Sequence, residues 1–290
     1  MLARRVGLSA VSRVKSARMP LPSLTRPQQQ LYTILHMKVA LIQAPLQWED
    51  PAANRTYFEN SFSNLEPDTD LIVLPEMFTT GFTMNPHTLS ETMDGQTVNW
   101  MKSHAKEQQC AITGSLIIRE NDKFFNRLLF VHPTGDLHLY DKRHLFSLAG
   151  EDKVFTKGET KLIVEYMGWK ICLLICYDLR FPVFSRNVEN YDLIVYVANW
   201  PQARTSAWDV LLKARAIENM CYVIGVNRIG SDANEIPYIG HSQIIDELGN
   251  IIIDAKENEG LFNATLDKEQ LYETRNKLAF LDDRDSFTLT

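Results

Sequence analysis

KVALIQAPLQWEDPAANRTYFENSFSNLEPDTDLIVL, residues 38–74, opens with one compact apolar run, Lys38 to Ala44, and closes with another, Asp70 to Leu74. Both have strand length, and in both the apolar residues are nearly continuous, as in strands covered on two faces. Between them Ala52 to Leu65 is amphipathic, so the stretch reads as β-α-β. Outward from it, a helical pattern over Gln96 to Gln109 leads into strand runs at Cys110 to Arg119 and Phe124 to His132. The turn Pro133-Thr134-Gly135-Asp136 separates these from Leu137 to Tyr140. Further strands are expected at Lys170 to Ile175, Asp192 to Ala198, Tyr222 to Asn227, His241 to Asp246 and Ile251 to Ala255, with a helix over Ala203 to Met220. Leu248-Gly249-Asn250 turns a hairpin. So many strands in one body, with helices early and hairpins later, predict two packed sheets with helices outside, an α/β protein of four layers, α-β-β-α. The tail after Leu266 is charge-rich and is expected to wrap a neighbour or to be loosely ordered.

The 290 residues are 45% hydrophobic and 23% charged, ordinary for a globular protein. The net charge of -6 is unevenly spread. Residues 1–36 hold five Arg, one Lys and no acid, which leaves -12 on residues 37–290. An acidic body lacks the basic surface that nucleic acid requires, and no apolar run approaches the length that spans a bilayer. Residues 1–36 are set apart from the domain, which is taken as 37–290. Two readings stand for this leader: a mitochondrial-type transit segment, or residues upstream of a true start at Met37. Cys110, Cys172, Cys176 and Cys221 lie in apolar stretches without a disulfide spacing, which suits free thiols in the cytoplasm.

Three polar residues stand directly after apolar strand runs: Glu76, Lys142 and Cys176. Ligand crevices of α/β sheets form at the carboxyl ends of strands, so an acid, a base and a thiol there can converge. A thiol needs a neighbouring base or cation before it attacks. Glu76 can take its proton, and Lys142, with the backbone N–H of Tyr177, can hold a tetrahedral oxyanion. A lone strand-end cysteine is ordinarily a small buried hydrophobe, and Cys110, Cys172 and Cys221 are read so.

LPEMF (Leu74 to Phe78), YDKRHLF (Tyr140 to Phe146) and ICYDLRFP (Ile175 to Pro182) resemble, in order and spacing, the three catalytic motifs of the nitrilase superfamily of carbon-nitrogen hydrolases. The resemblance runs from Met37 to about Arg284. GSLIIRENDKFFNRL, CYDLRFPVFSRN, VANWPQAR, LLKARAIENMCYVIGVNR and GHSQIID resemble its omega-amidase branch, which acts on 2-oxoglutaramate and its relatives. The resemblance implies Cys176 as nucleophile, Glu76 as general base and Lys142 as oxyanion stabiliser. Glu151 matches a second glutamate that orients the lysine or the attacking water, with a plain loop charge as the alternative. It also implies no cofactor, a small-molecule amide substrate and a homodimer. The same triad serves N-carbamoyl compounds, peptide-derived amides and nitriles in relatives, and a silent binding subunit is the reading from another class.

Around the triad, Trp200 is expected to wall the pocket. Arg180 is expected either to hold a substrate carboxylate or to pair with Asp178. Lys142, Arg143 and Arg180 are expected to make the pocket positive within an acidic body. Arg215 and Glu218 read as a structural helix pair. No phosphate-loop or dinucleotide motif occurs, and His132, His138 and His144 lack the companions of a metal site. His241 and Ser242, adjacent on a strand, point to opposite faces and form no nucleophile-base pair.

Overall fold

The computed structural model describes residues 35–289, and the two readings of the basic leader fall almost wholly on residues outside that range. The strands are β1 (His36–Gln43), β2 (Leu71–Val73), β3 (Ala111–Glu120), β4 (Lys123–Val131), β5 (Leu137–Asp141), β6 (Leu162–Tyr166) and β7 (Trp169–Ile175). They continue with β8 (Leu193–Ala198), β9 (Tyr222–Asn227), β10 (Ile229–Ser231), β11 (Pro237–Ile239), β12 (Gln243–Ile245), β13 (Ile251–Asp254) and β14 (Gly260–Asp267). Four longer helices accompany them: α1 (Pro51–Phe62), α2 (Gln96–Gln108), α3 (Thr205–Asn219) and α4 (Lys268–Leu278).

Two six-stranded mixed sheets result, in the orders β14-β1-β2-β3-β4-β5 and β13-β12-β9-β8-β7-β6. In the first, β1, β2 and β3 run parallel; in the second, β7, β8 and β9 do. Strand periodicity explains the stacking. Val39, Leu41, Leu71 and Val73 face the second sheet and join Ile171, Leu173 and Val195 in one core. Ile42, Ile72 and Leu74, from the opposite face, meet Phe58 and Phe62 of α1 and Val98 and Met101 of α2. Trp208, Leu212 and Ala216 of α3 cover the far side of the second sheet. The layers are therefore α-β-β-α, as the strand pattern predicts. Asp50 starts α1 by accepting a hydrogen bond from the Ala53 N–H at 3.0 Å, with Pro51 preset for the first turn.

The C-terminal expectation is corrected. Gly260–Asp267 pairs antiparallel with β1 along its whole length, and the next eleven residues form α4, capped by Asp267 at the Gln270 N–H. Arg275 of α4 donates to the Tyr191 and Met220 carbonyls and pairs with the buried Asp192. The segment packs on its own chain, because its basic residues meet carbonyls and a carboxylate left over at the end of the second sheet. No helix among the described residues is long and apolar enough to cross a membrane.

Candidate active site

Glu76 follows β2 by three residues, Lys142 follows β5, Cys176 follows β7 and Asn199 follows β8, so both sheets deliver groups to one place between them. The strand-to-turn step at Cys176 is sharp. Its backbone is left-handed (φ 43°), and residues 176–180 form a 3-10 turn. Asp178 secures that turn from inside. Its carboxylate accepts from the Ile175 N–H at 2.9 Å, the Tyr140 hydroxyl at 2.8 Å and the His144 N–H at 3.1 Å, with the His144 ring at 2.7 Å. The ion pair expected between Asp178 and Arg180 is not made, since every oxygen of Asp178 is already engaged behind the thiol.

Glu76, Lys142 and Glu151 are buried together. The Lys142 ammonium donates to Glu76 Oε1 at 2.8 Å and to both Glu151 oxygens at 3.1 and 3.0 Å. Asn199 straps Glu76 from the second sheet. Its backbone N–H donates to Glu76 Oε2 at 2.8 Å and its side-chain amide to the Glu76 carbonyl at 2.6 Å. Glu151 Oε2 also accepts from the Phe146 N–H at 2.6 Å, and Asn126 donates to both carboxylates, at 2.8 and 3.2 Å.

Charge follows from this packing. Burial works against the Lys142 ammonium, but Glu151 and Glu76 more than offset it, so its pKa lies above the usual lysine value. Burial raises Glu151, against the pull of Lys142. Burial also holds the Cys176 thiol well above its ordinary value; Glu76 adds to this, and Lys142 pulls the other way. At neutral pH the resting thiol is un-ionised; it donates to the Asn199 carbonyl at 3.9 Å, with the Glu76 carboxylate beside it.

Cys176 and Lys142 open onto a pocket of about 220 Å³ lined also by Trp48, Phe82, Phe146, Tyr177, Trp200 and Tyr238. Its walls are mainly aromatic. Two guanidinium groups lie on them: Arg180 is 4.9 Å from the Trp200 ring centre and Arg204 is 5.2 Å from that of Phe146. Neither arginine has an ion pair among the described residues, whereas Asp232, the acid on the wall, is used by the Tyr238 hydroxyl and by the Asn234 and Ile236 N–H groups.

The structure thus brings Glu76, Lys142, Cys176 and Glu151 together and lines the pocket with Tyr177, Arg180 and Trp200. Arg143 is corrected: its side chain donates to the Glu159 carbonyl and lies over Phe184, and the second pocket arginine is Arg204. The remaining cysteines are buried, with Cys110 pushed up to about 12 by burial. His241 Nδ1 lies 3.1 Å from the Asp209 carboxylate, while Ser242 Oγ accepts from the Asn227 N–H. No group of three His, Cys, Asp or Glu side chains among the described residues is placed to hold a metal ion. Sequence reasoning missed Arg204, Asn199 and Asn126. The signal available for Asn126 was an amide inside the apolar strand FFNRLLF, where a buried polar group demands partners.

A buried Glu-Lys-Glu cluster beneath a pocket thiol, set between two sheets, defines a class: residues 38–276 match the Carbon-nitrogen hydrolase family, and the chain belongs to it. It is a hydrolase, of α-β-β-α architecture, acting on non-peptide carbon-nitrogen bonds. The chain is 44% identical over 254 residues to the omega-amidase YafV of Escherichia coli K12, covering 87% of this chain and 98% of that protein. It is 31% identical over 250 residues to the 2-oxoglutaramate amidase of Bacillus subtilis, covering 84% and 96%. A solved CN-hydrolase superfamily protein of Xanthomonas campestris, with an arsenic adduct in its active site, is 43% identical and superposes with a TM-score of 0.86 over 88% of this chain and 99% of that one.

Proposed function

We propose that this chain is an omega-amidase that hydrolyses the side-chain amide of a short 2-oxo-acid amide, such as 2-oxoglutaramate or 2-oxosuccinamate, to the dicarboxylate and ammonia. One observation carries the substrate class: two arginines without carboxylate partners among the described residues line the same small pocket as a thiol and a lysine. A substrate with a carboxylate at the arginines and a carbonyl at Cys176 uses both sets of groups. The volume of about 220 Å³ suits a molecule of about ten non-hydrogen atoms. The likeness to an omega-amidase and a 2-oxoglutaramate amidase supports the same reading.

In this mechanism the Cys176 thiol passes its proton to Glu76 as sulfur attacks the amide carbon. The oxyanion is held by Lys142 Nζ, which can turn one N–H to it once a single N–H bridges the two Glu151 oxygens, and by the Tyr177 N–H in the first turn after the strand. Glu76 then protonates the leaving nitrogen, and ammonia departs from a Cys176 thioester. Water gives a proton to Glu76 and hydroxide oxygen to the thioester carbon. The carboxylic acid leaves, and the proton held by Glu76 returns to sulfur. Glu151 orients Lys142 and not the water, since both its oxygens are occupied and it does not line the pocket. A homodimer in the cytoplasm, with residues 37–290 as the catalytic unit, belongs to the same proposal.

Initial rates on 2-oxoglutaramate, an N-carbamoyl amino acid, a simple nitrile and a neutral amide of equal length test the reading. Ammonia release is expected to be fastest with 2-oxoglutaramate. Faster turnover of the neutral amide would remove the anion-anchor argument, carbon dioxide release would favour a carbamoyl substrate, and no turnover of any would favour a binding subunit.

A further inference from the structure

Two carboxylates share one ammonium, and a neutral group, Asn126, bridges the same two carboxylates a second time. Asn126 and Ser115 are fully buried on neighbouring strands. The Met77 N–H donates to Ser115 Oγ at 2.8 Å. A backbone N–H only donates, so Ser115 accepts there, and its single proton goes to Asn126 Oδ1, also at 2.8 Å. The carboxamide is thereby oriented: its oxygen faces Ser115, and its NH2 faces Glu76 Oε1 at 2.8 Å and Glu151 Oε1 at 3.2 Å.

The consequence falls on the base. Glu76 Oε1 accepts from both Lys142 and Asn126, which fills its two lone pairs. Glu76 Oε2 accepts from the Asn199 N–H alone and keeps one acceptor site. Met77, anchored by the same serine, has a left-handed backbone (φ 42°) directly after Glu76, so one hydroxyl fixes both the turn that carries the base and the amide that aims it.

We propose that Asn126, oriented by Ser115, is the positioning residue that commits Glu76 Oε2 to exchanging the proton with Cys176. This rests on Glu76 being the base for Cys176. The groups facing Glu76 are Lys142, Glu151 and Cys176, and those facing Glu151 are Lys142, Glu76 and Cys176. Without the shared donor, the two carboxylates oppose each other with less compensation, and the cluster takes up a proton at higher pH.

The test is the pH dependence of Cys176 alkylation by iodoacetamide, read by peptide mass spectrometry, in the full chain and in Asn126→Leu, Ser115→Ala and Glu76→Gln. This readout needs no knowledge of the natural amide. The acid limb is expected to move up by about one pH unit in Asn126→Leu and less in Ser115→Ala, and to vanish in Glu76→Gln. With 2-oxoglutaramate, kcat should fall about 10–100-fold in Asn126→Leu with KM nearly constant. A merely structural role would lower reactivity at every pH without moving the limb. A limb unmoved in both variants but lost in Glu76→Gln overturns the positioning role alone. An unchanged profile in Glu76→Gln overturns the base and this proposal together. Should Asn126→Leu not fold, Ser115→Ala, which removes one oxygen, decides the matter.

Discussion

Cys176, the proposed nucleophile, is stored by the site as a thiol. Burial and the two neighbouring glutamates disfavour its anion more than Lys142 favours it, so ionisation waits for transfer to Glu76 during attack. The expected outcome is a flat 240-nm thiolate difference spectrum between the wild type and Cys176→Ala from pH 6 to 8, with no absorbance step in that range; a step there would mean a resting thiolate. Arg204 gives a second outcome at this scale. Its backbone carbonyl accepts from the Trp200 indole at 2.8 Å, which fixes the turn that presents its free guanidinium to the pocket. Arg204→Leu should raise KM for 2-oxoglutaramate about 10–100-fold with a smaller change in kcat, the cost of one charge-assisted contact. Arg180→Leu should have a weaker effect, because Arg180 is exposed and solvent screens it. Glu76, Lys142 and Cys176 each follow a strand run, but it was the resemblance of LPEMF, YDKRHLF and ICYDLRFP to the family's motifs that singled them out. Asn126 and Asn199 were not legible, because their partner Glu76 lies 50 and 123 residues away and only the folded sheets bring them together.

At the scale of elements, close approach of α3 to β9 sets the second sheet's outer layer. A Cβ on Gly225 would stand 2.5 Å from Leu212 Cδ1 and 2.9 Å from Trp208 Cζ2. Gly225→Ala is therefore expected to lower stability by about 1–3 kcal/mol through overpacking, seen as a lower Tm with a normal active-site titration. Strands that run fully buried, such as β7 and β8, announced themselves by unbroken apolar sequence. β6 and β14 did not. Both are edge strands and only partly covered, so their sequences carry polar residues on open positions, as in Gly260-Leu261-Phe262-Asn263-Ala264. Helix α4 was hidden by its charge, which reads as solvent exposure until Arg275 and Lys268 are seen paired with buried Asp192.

At the scale of the whole molecule, the groups of the candidate site come from both sheets, so the site exists only when the sandwich is closed: Glu76 and Lys142 belong to one sheet, Cys176 and Asn199 to the other. The same arrangement answers the charge problem of an acidic body with an anionic substrate, since the pocket between the sheets carries Lys142, Arg180 and Arg204 while the excess acid lies elsewhere. The proposed hydrolysis requires Cys176 to carry the acyl group of an omega-amide. Ammonia release from 2-oxoglutaramate, measured side by side for the wild type and Cys176→Ala, tests this most directly. The predicted result is steady turnover by the wild type and a rate at least about 10³-fold lower in the variant; undiminished turnover by Cys176→Ala would contradict it.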